Sequence, residues 1–354
     1  MKKLITLCLS ILLFSCSSDN NQEPQPTPTN EIRAVDVSFL PLIESEGTIY
    51  KKNNTAQDAL LTLKNAGCNY IRVRLWHSPT DGHSGLTEVK NLVQRIRQQG
   101  MKVWLTVHYS DTWADPGNQT KPVAWQSFSF AELKSAVASY TTTIMNEINP
   151  DIIQIGNENN DGMLWPEGKL STNETKYIQL VQTAVTAVRN ASSSTKIMLH
   201  FAGTTNAEWF FEKVSAIDYD YIGLSYYPVW HGKSLTTLND KMVSLSTAYN
   251  KKVLIAETAY PFTLNWNDWT NNIVGLDNQL ITEYTATAEG QKAFITAIRN
   301  LKNQNTNYLG FCYWGAEWVA FRGTESTNGS SWENQALWDF NFNALPVMDA
   351  FSEN

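Results

Sequence analysis

Two carboxyls stand where apolar runs end. Residues 151–160 read Asp-Ile-Ile-Gln-Ile-Gly-Asn-Glu-Asn-Asn, a β-branched stretch that breaks into polar residues at Glu158, and residues 252–261 repeat the arrangement with Glu257. A strand buried on both faces reads as such a run, and in barrels of alternating strands and helices the reacting groups sit just past the C-terminal strand ends. One carboxyl rarely does acid–base work alone. Two in equivalent places can divide a glycosidic bond between them, one protonating the leaving oxygen while the other attacks the sugar or activates water.

The composition suits that chemistry. Of 354 residues, 13 are Trp, 14 Tyr and 14 Phe, many beside Gly, Pro, Asn or Asp in expected loops, where an aromatic face can stack on a sugar ring. A formal net charge of −7 argues against nucleic acid, which needs a basic face, and favours a neutral or weakly charged substrate.

Three segments are expected along the chain. Residues 1–15 form an exported leader: Met1-Lys2-Lys3, then an apolar core from Leu4 to Phe14 that is too short to span a bilayer. Leu13-Phe14-Ser15-Cys16 resembles the bacterial lipobox, which makes Cys16 the lipid attachment point of a membrane-anchored lipoprotein, facing the periplasm or the cell surface. Residues 16–30, rich in Ser, Asn, Gln, Pro and Thr, read as a semi-extended tether. Residues 31–354 then alternate strands and helices as one domain. The remaining cysteines, Cys68 and Cys312, fall in separate apolar runs and are expected to be free, buried thiols.

The pattern predicts eight strands, Ala34–Phe39, Tyr70–Trp76, Lys102–His108, Ile152–Gly156, Lys196–Phe201, Tyr221–Tyr226, Lys252–Ala256 and Tyr308–Tyr313. Between them it predicts helices over Ala56–Ala66, Leu86–Gln99, Ala131–Ile148, Tyr177–Asn190, Trp209–Ile217, Leu235–Asn250 and Ala288–Asn303. Leu92, Val93 and Ile96 show the spacing of a helix with one face on a sheet. Eight such alternations make an α/β fold, a (β/α)8 TIM barrel.

The strand ends are unusually polar. Arg72 and Arg74 share one face of the second strand, where an inward guanidinium would either form a structural ion pair or hold a catalytic carboxylate. The third strand runs into His108, Asp111, Trp113 and Asp115, the sixth into Tyr226, Trp230 and His231, and the eighth into Trp314 and Glu317. A lone His is more often a satisfied structural group, and the loop carboxylates Glu167, Glu317 and Glu333 are expected to be solvated.

Taken together, His108…Asp111-Thr112-Trp113-Ala114-Asp115-Pro116, Gly156-Asn157-Glu158 with Gly162-Met163-Leu164-Trp165-Pro166-Glu167-Gly168, Tyr226-Tyr227-Pro228…Trp230-His231-Gly232 and Glu257…Tyr260-Pro261 resemble glycoside hydrolase family 53, the endo-β-1,4-galactanases. The resemblance runs from about Glu31 to the C-terminus. It implies retaining, endo-acting hydrolysis of galactan or type I arabinogalactan, with Glu158 as acid/base and Glu257 as nucleophile. It further implies that Asn157 holds the sugar 2-hydroxyl, that Tyr226 touches the nucleophile, that Arg74 favours its anion, and that Trp314 floors the subsite on the non-reducing side. His108, Asp111, Trp113, Asp115, Trp165, His200, Trp230 and His231 are then candidates for further sugar contacts.

Two departures stand out. Many members read Tyr-Trp-Glu-Pro-x-Trp after the last strand, where this chain has Tyr313-Trp314-Gly315-Ala316-Glu317-Trp318. Bacterial members often hold calcium after the seventh strand; here Asn265, Asn267, Asp268 and Asn271 keep the alternation without the charges, so a site would need Asp268 or Glu333. No cofactor is required for the chemistry, and a monomer is expected. A hydrolase of another β-1,4-linked hexan or of galacto-oligosaccharides would keep the same mechanism. A glycan-binding lipoprotein on an inactive barrel would not need both glutamates.

Overall fold

A computed structural model of the protein describes residues 31–352. The leader, the tether and Cys16 lie outside the described residues. Eight parallel strands close into a barrel, β1 (Ile32–Asp36), β2 (Tyr70–Leu75), β3 (Lys102–Val107), β4 (Ile152–Ile155), β5 (Lys196–Ala202), β6 (Tyr221–Ser225), β7 (Lys252–Thr258) and β8 (Tyr308–Tyr313), with β8 pairing back onto β1. Helices α1 (Ala59–Ala66), α2 (Leu86–Gln98), α3 (Phe130–Glu147), α4 (Leu170–Ala191), α5 (Ala207–Lys213), α6 (Leu235–Tyr249) and α7 (Ala288–Asn300) connect them. The fold is the expected (β/α)8 barrel.

Local chemistry accounts for the elements and for two misplaced edges. Val89, Leu92, Val93 and Ile96 of α2 are buried at helical spacing, each contributing about 1.5–3 kcal/mol by leaving water. Ser129 and Glu132 form a reciprocal capping box that starts α3. The helix expected from Ala56 begins at Ala59 because Thr55–Ala56 pair with Lys51–Lys52 in a hairpin and Asp58 caps the turn. The helix expected from Tyr177 extends back to Leu170 through a kink at Asn173.

Parity along the strands sets what faces inward. Ile32, Ala34, Trp104, Ile152, Met198, Leu254, Ala256 and Cys312 form a closed apolar cluster that floors the barrel. Two residues further along the strands, the same parity carries Asp36, Arg72, Gln154, His200 and Ser225, all buried, so a polar layer lies on the apolar floor. By strict alternation Glu257 would point outward, since Leu254 and Ala256 point in. A bulge corrects this. Leu224 pairs with Ile255 but Ser225 pairs with Glu257, so β7 carries one extra residue at Ala256 and Glu257 turns inward.

The seam between first and last strands is fastened at both ends. Above the barrel, Phe39 N donates to Glu317 Oε1 at 2.6 Å and Tyr50 Oη to the Glu317 carbonyl at 2.6 Å. Glu317 is therefore buried, against the expectation of a solvated loop residue, because the loop after β8 packs against the segment after β1, where Phe39 also stacks on Trp318. Burial and the charge of Asp36 push its carboxyl up to about 8. Below the barrel, Glu31 accepts from Arg299 at 3.0 Å and Lys302 at 2.8 Å; burial pushes its carboxyl up, and these partners outweigh that and hold it at about 2. Cys68 and Cys312 are free and buried, as expected.

Candidate active site

The polar layer opens upward into a cleft lined by Asp36, Ser38, Arg72, Arg74, His108, Trp113, Ala114, Asp115, Asn157, Glu158, Tyr227, Trp230, Glu257, Trp314 and Trp332. Glu158 reaches it through a sharp turn. Gly156 sits at φ +74° and Glu158 itself at φ +46°, and a Cβ on Gly156 would fall 2.2 Å from Asn159 Oδ1, so only glycine allows the chain to turn there. Oxygens of Glu158 and Glu257 and a ring nitrogen of His200 all lie within 4.8 Å of one another.

The two carboxyls have unlike surroundings. Glu257 Oε1 accepts from Arg72 Nη2 at 2.7 Å and Oε2 from Tyr227 Oη at 3.0 Å. Glu158 Oε1 accepts, among the described residues, only a neutral hydroxyl, Ser225 Oγ, at 2.6 Å. Burial raises both; Arg72 and Tyr227 work against it at Glu257, whereas at Glu158 burial and the neighbouring Glu257 charge push the carboxyl up to about 8. The proton shared by this pair therefore belongs on Glu158 and the negative charge on Glu257.

Two expected contacts to the Glu257 carboxyl fall instead to a near neighbour in sequence. Arg72, not Arg74, pairs with Glu257, and its Nη1 meets Asp36 Oδ2 at 2.7 Å. Arg74, two residues nearer the mouth, lies 4.2 to 4.5 Å above the rings of Phe39, Trp76 and Trp113 and bonds Ser84 Oγ at 2.8 Å and His83 Nε2 at 3.0 Å. Burial lowers it to about 10. Likewise the Glu257 carboxyl is touched by the Tyr227 side chain, because Tyr227 shares the parity of Gly223 and Ser225, while Tyr226 meets Glu257 only through its backbone N, which donates to the Glu257 carbonyl at 2.7 Å, and turns its Oη to the Gly232 carbonyl at 2.8 Å.

Asn157 lines the cleft with Nδ2 bonded to the Ala114 carbonyl at 2.8 Å and Oδ1 accepting from Arg72 at 3.0 Å. His108 Nδ1 accepts from Ala114 N at 3.0 Å, and burial with the charge of Arg74 keeps its ring well below the usual imidazole range, hence neutral. Trp113, Asp115, Trp230 and Trp314 also line the cleft.

Four expected sugar contacts do not line it. Asp111 staples loops by accepting from Ser78 N at 2.9 Å and Val123 N at 2.8 Å. Trp165 donates to the Asp161 carbonyl at 2.9 Å beneath the Lys169 ammonium. His231 Nδ1 accepts from Tyr227 N at 3.0 Å, and His200 is fully buried under Glu158. Arg72, named beside Arg74 as an inward guanidinium, lines the cleft, and Asp36, Ser38, Tyr227 and Trp332 enter it without having been given a role. Parity could have found the first three of these four; Trp332 comes from a long loop with no periodic signal.

By distance, Glu158, His200 and Glu257 could hold a metal ion, but both His200 nitrogens are engaged, Nδ1 with Gln154 Nε2 at 2.9 Å and Nε2 with Ser225 Oγ at 2.9 Å. A better-matched donor set is shared by the loops after β7 and β8. Asp268 Oδ2, Asn272 Oδ1 and Glu333 Oε2 are buried without a hydrogen-bond partner among the described residues, while Asn267 N donates to Glu333 Oε1 at 2.6 Å. Glu333 is thus buried rather than solvated, and Asn265 and Asn271, two of the expected ligands, are exposed.

A closed parallel barrel with two inward carboxyls of opposite proton preference at its C-terminal mouth, walled by tryptophans, is the working arrangement of a glycoside hydrolase. The chain belongs to glycosyl hydrolase family 53, whose sequence profile matches residues 32–351. It is 34% identical to an arabinogalactan endo-beta-1,4-galactanase of Cellvibrio japonicus over 367 residues, 98% of this chain and 96% of that protein. Among solved structures it is similar to the GH53 catalytic domain of Ignisphaera aggregans, with a TM-score of 0.86, 35% identity and coverage of 92% of this chain and 96% of the other. A fungal beta-1,4-galactanase matches at TM-score 0.80 and 27% identity over 90% and 98% of the two chains. Among the described residues no helix is long and apolar enough to cross a membrane.

Proposed function

We propose that this enzyme is an endo-acting, retaining β-1,4-galactanase that cuts galactan and the galactan chains of type I arabinogalactan. The observation that carries the reading is the close, asymmetric pair Glu158 and Glu257, whose oxygens lie within 4.8 Å, near the separation of about 5–5.5 Å at which one carboxylate can attack the sugar directly. The names of the galactanase relatives support the choice of polymer. Glu257 forms a bond to the anomeric carbon as the glycosidic bond breaks, and Glu158 gives its proton to the departing oxygen. Glu158 then takes a proton from water, which attacks the anomeric carbon and releases Glu257. Asn157 holds the 2-hydroxyl, Trp314 floors the subsite, and Arg74, His108, Trp113, Asp115 and Trp230 contact the sugars.

The test is a time course of products from linear β-1,4-galactan, with mannan and xylan as controls. Early medium-length oligosaccharides from galactan alone are expected. Release from mannan or xylan and none from galactan would refute the substrate, and retained turnover in Glu257→Ala would refute the nucleophile.

A calcium ion on Asp268, Asn272 and Glu333 is a second part of this reading, because three unpaired buried oxygens, two from carboxyls, match a hard cation. Bound there, it would neutralise the two acids and fasten the long loops after β7 and β8. A chelator should lower Tm and added calcium restore it. The enzyme is further taken to be an exported lipoprotein, on the strength of Leu13-Phe14-Ser15-Cys16. Cys16→Ala should abolish incorporation of labelled fatty acid.

A further inference from the structure

His200 and Ser225 have no part in the roles given above, yet both are fully buried against Glu158. His200 touches that residue from two directions. Its Nδ1 lies near two donors, Gln154 Nε2 at 2.9 Å and the backbone N of Glu158 at 3.3 Å, and near one acceptor, Asn157 Oδ1 at 3.2 Å, which already takes hydrogens from Arg72 Nη2 and Gln154 Nε2, whereas the Glu158 N–H can only donate. The Gln154 amide is oriented by its own Oε1, which accepts from Trp104 Nε1 at 3.3 Å and Arg72 Nη2 at 3.4 Å, so its NH2 end points at His200. Nδ1 is therefore the bare nitrogen and Nε2 carries the hydrogen. Burial and the Arg72 charge keep the ring well below its ordinary range, hence neutral.

Nε2–H then donates to Ser225 Oγ at 2.9 Å, which leaves the single hydroxyl proton of Ser225 to point at Glu158 Oε1, 2.6 Å away. Oε1 is thereby committed as an acceptor. Oε2 has no hydrogen-bond partner among the described residues, and Glu158 lines the cleft.

We infer that Ser225 and His200 are positioning residues of the acid/base: by capping Oε1 as an acceptor they direct the exchangeable proton of Glu158 to Oε2, the oxygen free to reach the leaving group. The inference rests on the reading of Glu158 as the acid/base. A carboxylic acid free to carry its proton on either oxygen would spend part of its time with that proton turned from the substrate. The hydroxyl removes that alternative without adding a charge, which Arg72 supplies only to Glu257.

The experiment compares kcat/KM on two substrates, galactan, whose leaving group needs a proton, and a dinitrophenyl β-galactoside, whose leaving group does not. Ser225→Ala should lower kcat/KM on galactan by about 10- to 100-fold, a part of the roughly 10²- to 10⁴-fold that a general acid contributes, with a much smaller loss on the aryl substrate. His200→Gln should give the same selective loss, and the double variant should be no worse than Ser225→Ala alone. Labelling with a fluorinated galactosyl inhibitor counts competent sites, so a poorly folded fraction does not enter the rates. Equal loss on both substrates, or no loss, overturns the inference. Glu158→Gln is run alongside. If it shows no selective loss on galactan, the acid/base reading itself falls; if it does and Ser225→Ala does not, only the role of Ser225 and His200 falls.

Discussion

Arg72 Nη2 and Glu257 Oε1 stand 2.7 Å apart in the barrel interior, and the same guanidinium holds Asp36 Oδ2 at 2.7 Å, so one cation serves two buried carboxylates. Removing it leaves both acids without compensation. Arg72→Ala is expected to lose about 3–5 kcal/mol of stability, the usual result of breaking a buried pair by deleting one partner. Urea unfolding measures it; a loss under about 1 kcal/mol would mean that the pair is not held as described.

The Tyr227 hydroxyl donates to Glu257 Oε2 and helps hold that carboxyl down. Tyr227→Phe removes the donor, so Glu257 should protonate at higher pH and the acidic limb of the kcat/KM profile should move upward. Tyr226→Phe, which loses only a bond to the Gly232 carbonyl, should leave that limb in place. If the two variants shift it alike, the contact is not specific.

Glu158, raised to about 8 by burial and the Glu257 charge, must be protonated to act as acid. Its protonated fraction falls as pH rises through 8, so kcat/KM on galactan should fall on that side. In Glu158→Gln, assayed on an activated aryl galactoside, the alkaline limb should be gone.

Glu317 makes a stability prediction. An acid whose folded value is about 8 binds more protons folded than unfolded between the ordinary carboxylate range and 8, so stability declines as pH climbs across that window. Glu317→Gln keeps the shape and cannot ionise. Its Tm relative to the parent should rise steadily from pH 4.5 to 8, by several degrees overall, and a flat difference would show that the carboxyl is not buried as found.

Much of this architecture can be read along the chain, and the failures have a common cause. Strands flanked by helical spacing declare themselves, and a carboxyl beyond an apolar run, as at Glu158, marks the mouth of a barrel. Depth does not declare itself. Arg72 and Arg74 are equally inward by parity, and nothing in their sequence says which layer the Glu257 carboxyl occupies. The inward turn of Glu257 depends on the bulge at Ala256, a pairing property invisible in one strand alone. Glu317 and Glu333 look like solvated loop residues because what buries them comes from loops distant in sequence.

Trp113, Trp230, Trp314 and Trp332 share the cleft wall, and Trp230 is 55% exposed. A sugar seated among them would take water away from indole rings, so the cleft carries its own optical signal. Intrinsic emission should shift to shorter wavelength as an inactive variant such as Glu257→Ala fills with oligosaccharide. Occupancy of this site is therefore measurable in unlabelled protein, before any bond is cut.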